Sequence, residues 1–301
     1  MKRIMISILV IGLISSGLIA QESGTTGIYN DGKIDYATSK VTFSLTGSDN
    51  LSDIKTVMYR IDAGEYVEYQ NPISIAEEGL HTVYYYSIDN VGNKSPEFAY
   101  SVIIDNTAPE VNITPSVKLY EKDGKFYAPA NVKYFLSAID NAAGVKLIEY
   151  SVDGGDYTAY NEPITLEKGG DHTIKYRATD NVGNVSVEKT LTIFMDDTKP
   201  TVKIVPSGNF YVKGGKNYAP RSFTYTVEAI DSESGIEKIL VSIDGGEFTL
   251  YQGPISIDKE GEHTITAKAV DNVGNISDEV KLTFVIDITP PQIELKPSLQ
   301  K

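Results

Sequence analysis

Seven aspartates are the residues most able to do chemistry in this chain. Asp105, Asp140 and Asp180 form one set. Asp196, Asp231 and Asp271 repeat it 91 residues later, with Asp197 added beside Asp196. Carboxylates are hard oxygen ligands, and several converging on one point suit Ca2+. Convergence requires a linker aspartate, Asp105 or Asp196 with Asp197, to meet two loop aspartates of the repeat that follows. Calcium held there would stiffen the linker. The competing reading is that each aspartate caps its own turn by accepting N–H bonds from the next few residues. Asp49 and Asp89 favour it, because they recur at the loop positions of the first repeat, which no linker precedes.

Other chemistry finds little support. His81, His172 and His263 occur one per repeat, each two residues after a glycine. Equivalent positions in successive repeats lie far apart, so these histidines share no metal or catalytic centre and are expected to pack at a strand start. No nucleophile motif, zinc-ligand spacing or phosphate loop is present. The paired carboxylates of glycoside hydrolysis need one cleft, which small repeated domains lack. The expectation is therefore no catalytic residue and no cofactor beyond calcium. Asn93-x-Ser95 and its two counterparts match a glycosylation sequon, but a turn accounts for the same residues. Tyr157 and Tyr160, matched by Tyr66 and Tyr69 and by Phe248 and Tyr251, offer an aromatic surface. Sugar stacking favours tryptophan, and the chain has none.

The elements that position the aspartates follow from an internal repeat. Asp89-Asn90-Val91-Gly92-Asn93 recurs from Asp180 and from Asp271, 91 residues apart each time. Tyr150 to Tyr157, Pro163-Ile164 and the closing Asp-x-Thr-x-Pro of residues 105–109 keep the same period without a gap. Within a repeat the apolar period is two. Val132, Tyr134, Leu136 and Ala138 alternate with Lys133, Phe135, Ser137 and Ile139, the pattern of a half-buried strand. Phe223, Tyr225, Val227 and Ala229 repeat it. Ile148, Tyr150 and Val152, then Ile174, Tyr176 and Ala178, give two more strands. Asp153-Gly154-Gly155-Asp156 reads as a hairpin joining strands C and C′. Asp-Asn-Val-Gly-Asn reads as the turn joining F and G. About seven short strands in 91 residues predict an immunoglobulin-like or fibronectin-III-like sandwich. The segment 109–116, repeated at 200–207 and 291–298, either closes the preceding sandwich or starts the next. Packing at the junction between neighbours is the preferred reading.

Composition bounds the setting. Lys2 and Arg3, the apolar run Ile4 to Ile14 and a small-residue stretch ending at Ala20 read as a secretory signal peptide cleaved after Ala20. No later stretch is long and apolar enough for a transmembrane helix. Without Lys2 and Arg3 the chain keeps 25 basic and 41 acidic side chains, a net charge near −16. That makes nucleic acid a poor partner and cations or basic surfaces better ones. Cysteine is absent, so an exported chain would be held by its cores alone.

The Tyr-x-Val/Ile-Asp-Gly-Gly stretch, Tyr160-x-x-Pro163-Ile164, the Asp-Asn-Val-Gly-Asn turns and the Asp-x-Thr-x-Pro linkers resemble bacterial exported repeats of the OmpL47 type, and bacterial Ig-like modules more widely. The resemblance covers essentially the whole chain after the signal peptide. It implies an exported, surface-associated protein of a kind proposed to bind host matrix proteins. The family name also suggests an outer-membrane barrel, which needs strands of about 9–11 residues and aromatic girdles, unlike the short strands here. The expected organisation is all-β: a signal peptide at 1–20, Ig-like repeats at 21–107, 108–198 and 199–289, and an extra strand or tail at 290–301. The expected role is non-enzymatic adhesion or spacing at the cell surface, in the periplasm or in the secreted medium. A protein or glycan would be the partner. A carbohydrate-binding array and a membrane barrel are the alternatives.

Overall fold

The computed structural model describes residues 5–10, by their backbone, and residues 27–296. All regular structure among them is β-strand. The chain divides into two compact units. One comprises 1–114, 135–163 and 174–191, the other 115–134, 164–173 and 192–301.

The first unit contains the first repeat, a sandwich of two open sheets. The larger sheet runs Ile28–Asn30, Asp35–Ala37, Phe98–Ile104, Gly79–Asp89, Ile54–Ile61, Val67–Glu68. Its centre is the antiparallel pair Gly79–Asp89 and Phe98–Ile104, with Gly79 opposite Ile104 and Tyr85 opposite Phe98. The smaller sheet runs Met5–Val10, Thr42–Gly47, Ile73–Ser74. Alternation sends Val83 and Tyr85 from one sheet, and Phe43 and Leu45 from the other, into a shared core with Ile73, Val102 and Ile104. Each such side chain contributes about 1.5–3 kcal/mol on burial, so this cluster, more than the polar turns, stabilises the repeat. In the same unit, Val145–Val152 pairs with the strand ending at Asp180, Val152 opposite Ile174 and Tyr150 opposite Tyr176.

The second unit contains the third repeat, built the same way. Its large sheet pairs Gly261–Asp271 with Val280–Ile286 and with Ile236–Ile243. Phe284, 1% exposed, stacks on Tyr225 at 4.3 Å between ring centroids.

The period-two readings hold around Tyr134 and Tyr176 but not along Val145–Val152, where Ile148, Tyr150 and Val152 are half-buried and Ser151 is the buried residue. Val132, Tyr134 and Leu136 are buried while Lys133, Phe135 and Ser137 face solvent, and Ile174, Tyr176 and Ala178 are buried. The hairpin after Val152 is closed by Gly155 N–H donating to Val152 C=O. Its positive φ values fall on Asp153 and Gly154 rather than on both glycines. The sequence reading missed the hairpin Ile28–Asn30/Asp35–Ala37, whose second strand pairs in parallel with Phe98–Ile104. The segment 200–207 is a strand of the repeat that follows it. Thr201–Pro206 pairs antiparallel with Thr224–Ile230, Thr201 opposite Ile230 and Pro206 opposite Tyr225. The sheets are linear strand orders with two edges each, unlike a barrel. No helix among the described residues is long and apolar enough to cross a membrane. Most of the expected signal peptide, and residues 297–301, lie outside the described residues.

Candidate metal centres

Each loop aspartate sits where a strand ends and its turn begins. Asp140 follows Lys133–Ile139, and Asp180 is the last residue of Gly170–Asp180. Asp180 Oδ1 accepts from the N–H groups of Val182, Gly183 and Asn184. Asp140 Oδ2 accepts from Ala142 and Gly144. These are the turn caps that the sequence suggested. Gly183, at φ 97°, supplies the left-handed residue that lets the backbone curl over the carboxylate.

The linker aspartate brings the turns together. Asp105 is 1% exposed. Its Oδ1 accepts from Thr107 N–H, and its Oδ2 reaches Ala143 N–H at 2.9 Å, 38 residues away. One oxygen from each of Asp105, Asp140 and Asp180 then lies within 4.8 Å of the others. The second centre repeats this with Asp196, Asp231 and Asp271, and Asp196 Oδ2 accepts from Ser234 N–H. Two oxygens at about 2.4 Å from one calcium can stand at most about 4.8 Å apart, so either triad is compact enough to share an ion. Asp140 Oδ1 in the first centre is buried with no hydrogen-bond partner. Ser234 Oγ, beside the second, is in the same state.

The electrostatics are those of crowded anions. Burial pushes the Asp105 carboxyl above its usual range. Its N–H bonds from Ala143 and Thr107 oppose this, and the charges of Asp140 and Asp180 add to it. Burial likewise raises Asp231, against the Gly235 N–H and with the charges of Asp196 and Asp271. The first repeat is an internal control. There Asp49 is held low by the N–H groups of Leu51 and Ser52. Asp89, although burial raises it, is brought low by the N–H and side chain of Asn93. Those two caps, without a third carboxylate, leave low carboxyls; Asp231, the counterpart of Asp49 beside a linker aspartate, is raised.

Asp197 does not join a triad. It is exposed, and its carboxylate lies over Gly169, where a side chain would collide with it. At the first centre the matching pair is Glu78 and Asn106, and Glu78 Oε1 accepts from Asn106 N–H and Thr107 Oγ1. Asp287, the third linker aspartate, is exposed and caps Thr289. Lys122 Nζ stands 3.7 Å from the position a Gly235 Cβ would take, a cation near the second centre. The matching residue one repeat earlier is Asp31.

Sequence reasoning missed both asparagines of the repeated turn. Asn181 Nδ2 donates to the carbonyls of Ala143 and Gly144, and Asn272 Nδ2 to those of Ser234 and Gly235, so the first asparagine clamps the other loop. Asn184 Nδ2 donates to the Asp105 carbonyl, and Asn275 Nδ2 to the Asp196 carbonyl, both at 3.0 Å, so the last asparagine grips the linker. The threefold recurrence of the turn was the available signal, but its partners are 37 to 79 residues away.

The histidines pack near strand starts. His81 and His263 are buried, with Nδ1 on Asp62 and Asp244 and Nε2 on the carbonyls of Glu77 and Lys259. His172 Nε2 meets the Lys168 carbonyl. One ring of each aromatic pair lies under a cation. The Arg177 guanidinium lies 4.2 Å from the Tyr157 ring centre, and Lys268 Nζ lies 4.0 Å from that of Phe248.

No protein-family model matches the chain. Among solved structures it is similar to the fibronectin(III)-like modules of Clostridium thermocellum CbhA, at 16% identity and a TM-score of 0.35, over 61% of this chain and all of that one. It is similar to Drosophila N-cadherin EC1-3, at 15% identity and a TM-score of 0.23, over 79% of this chain and 91% of that one. A third is the Bacteroides ovatus mixed-linkage glucan utilization protein SGBP-B, at 13% identity and a TM-score of 0.22, over 91% and 69%.

Proposed function

We propose that this is a non-enzymatic exported array of Ig-like repeats, a spacer or adhesion element at the cell surface, whose linkers are stiffened by calcium bound at the two aspartate triads. The observation that carries the reading is the contrast between repeats. The capped turn of the first repeat leaves Asp89 at 9% exposure, whereas Asp180 and Asp271, where a linker aspartate arrives, are fully buried. Gathering three carboxylates, two of them buried, is costly unless they are paired or coordinate a metal. Asp105, Asp140 and Asp180 would hold one ion, and Asp196, Asp231 and Asp271 the other. The ion would supply positive charge beyond that of Lys122, which stands near the second triad alone. Linker and loops are already fastened by Asn184 and Asn275, so binding would tighten an existing arrangement. The OmpL47-type resemblance of the turns and linkers belongs to the same proposal.

The test is a melting scan of the chain in calcium and again in EGTA, with metal analysis of the dialysed protein. A transition several degrees higher in calcium, with bound ion, is expected. An unchanged transition and no bound ion would leave the aspartates as turn caps only.

A further inference from the structure

Two features at opposite ends of the chain have matching geometry. Beyond Ile286, residues 287–296 form no strand, and they expose Ile293 at 99% and Leu295 at 95%. By the 91-residue register, Ile293 and Leu295 correspond to Val202 and Ile204, and to Val111 and Ile113. Val111 is fully buried, and Val202 and Ile204 pack against the third repeat's core. Residues 292–296 therefore carry the pattern of a repeat's first strand, and among the described residues they pair with no sheet. Exposed apolar side chains at alternate positions are what a segment needs to add to a sheet edge as a strand.

The first repeat has such an edge. In the third repeat, Thr224–Ile230 lies between Thr201–Pro206 and Ile255–Ser256. In the first repeat the matching strand, Thr42–Gly47, has Ile73–Ser74 on one side and Met5–Val10 on the other. Met5–Val10 runs parallel to it, Met5 opposite Thr42 and Val10 opposite Gly47, whereas Thr201–Pro206 runs antiparallel to its partner. The segment on this edge belongs to the expected signal peptide, outside the 91-residue register. Its removal would bare the N–H and C=O groups of a strand that carries the core residues Phe43 and Leu45.

We propose that residues 292–296 of one copy add as an antiparallel strand to Thr42–Gly47 of a second copy once residues 1–20 are removed, joining copies head to tail. The register follows from the third repeat. Ile204 faces Val227 and Val205 faces Thr226, so Leu295 would face Leu45 and Lys296 would face Ser44. Leu295 would then cover the first repeat's core as Ile204 covers the third's. The occupant is a second copy because its residues 292–296 match, in the 91-residue register, Thr201–Pro206, the strand that fills this place in the third repeat.

The proposal rests on removal of residues 1–20, so the test supplies that step directly and is independent of whether the chain is exported. The full chain and a chain starting at residue 21 are compared by light scattering across a wide concentration range. The shortened chain is expected to form multiples of its mass as concentration rises, and the full chain to stay at one mass. Leu295→Asp in the shortened chain is expected to abolish the multiples with its melting transition unchanged, since Leu295 is exposed. The chain has no cysteine, so register can be trapped. Shortened chains carrying Ser44→Cys, mixed with shortened chains carrying Lys296→Cys, are expected to form a disulfide heterodimer in several-fold excess over a Thr42→Cys control. Should the shortened chain lose the first repeat's transition, a peptide of residues 290–301 is expected to restore it. One mass at every concentration, multiples that survive Leu295→Asp, cross-linking no greater than the control, or a peptide without effect on a lost transition would overturn the proposal.

Discussion

Replacing Asp105 by asparagine separates the two forces acting on the first triad. The side chain is 1% exposed, and its oxygen lies within 4.8 Å of one oxygen each from Asp140 and Asp180. At an effective dielectric of about 20, two unit charges about 5 Å apart repel by roughly 3 kcal/mol, and the substitution removes two such pairs. Against this, asparagine keeps one acceptor oxygen for two N–H groups, from Thr107 and Ala143. Losing one charge-assisted bond costs about 1.5–3 kcal/mol, and the new amide places a donor against a donor. With about 1–3 kcal/mol more for that clash, repulsion wins by about 1–4 kcal/mol without calcium. Because 1 kcal/mol moves the melting temperature of a domain of 60–100 residues by about 4–8 °C, calorimetry in EGTA at neutral pH should show one transition several degrees higher than in the unaltered chain. In calcium the order reverses. A ligand at 1,000 times its dissociation constant adds about 4.1 kcal/mol, more than that gain, to the unaltered chain and nothing at this centre in the variant. Asp89→Asn supplies the contrast. Its turn has no third carboxylate and its carboxyl is held low, so that variant melts lower in either buffer. A lower transition for Asp105→Asn in EGTA would show that the N–H bonds outweigh the repulsion and would refute the electrostatic reasoning.

Three further outcomes follow from the same structure. Asp105 and Asp231 are raised above the ordinary 3.8, so the folded state takes up their protons before the unfolded chain does. Calcium-free stability should therefore rise as pH falls from neutral through their folded values towards 3.8. Below that, stability falls as Asp62 and Asp244 are protonated. Asp62 is held low chiefly by Thr82 N–H, and Asp244, though burial raises it, is brought low by Thr264 N–H and His263. A calcium-free melting series should therefore peak in mild acid, and added calcium should move the peak towards neutral pH. Gly274→Ala forces a side chain into φ 97° with open space around it, so about 1–2 kcal/mol of backbone strain should lower the third repeat's transition, measured by calorimetry. Phe284→Ala removes a ring that is 1% exposed and stacked on Tyr225. About 3–5 kcal/mol should be lost, seen as hydrogen exchange through Gly261–Asp271 with the first repeat's amides unaffected.

Much of this architecture was legible in the residues. Period-two alternation identified the strand around Tyr134 and its buried face because one side of each sheet packs on the core. The glycine-containing turns announced their hairpins because left-handed backbone is restricted to few residue types. The 91-residue register located both triads before any geometry was known, since Asp105, Asp140 and Asp180 recur as Asp196, Asp231 and Asp271. Three things were not legible. The hairpin Ile28–Asn30/Asp35–Ala37 consists of three-residue strands, too short for alternation to register. Asp197 looked like a ligand by adjacency, but successive residues on an extended backbone point to opposite sides, and Gly169 leaves room for it to fold away. The grip of Asn184 and Asn275 on the linker depends on contacts across 79 residues, which local pattern cannot reveal.

The central claim is that the triads are calcium sites rather than clustered turn caps, and calcium stoichiometry tests it most directly. Titration calorimetry of the calcium-free chain should give two ions per chain, one after Asp105→Asn, and none when Asp196→Asn is added. No heat of binding by the unaltered chain, or a stoichiometry unmoved by both substitutions, would contradict it.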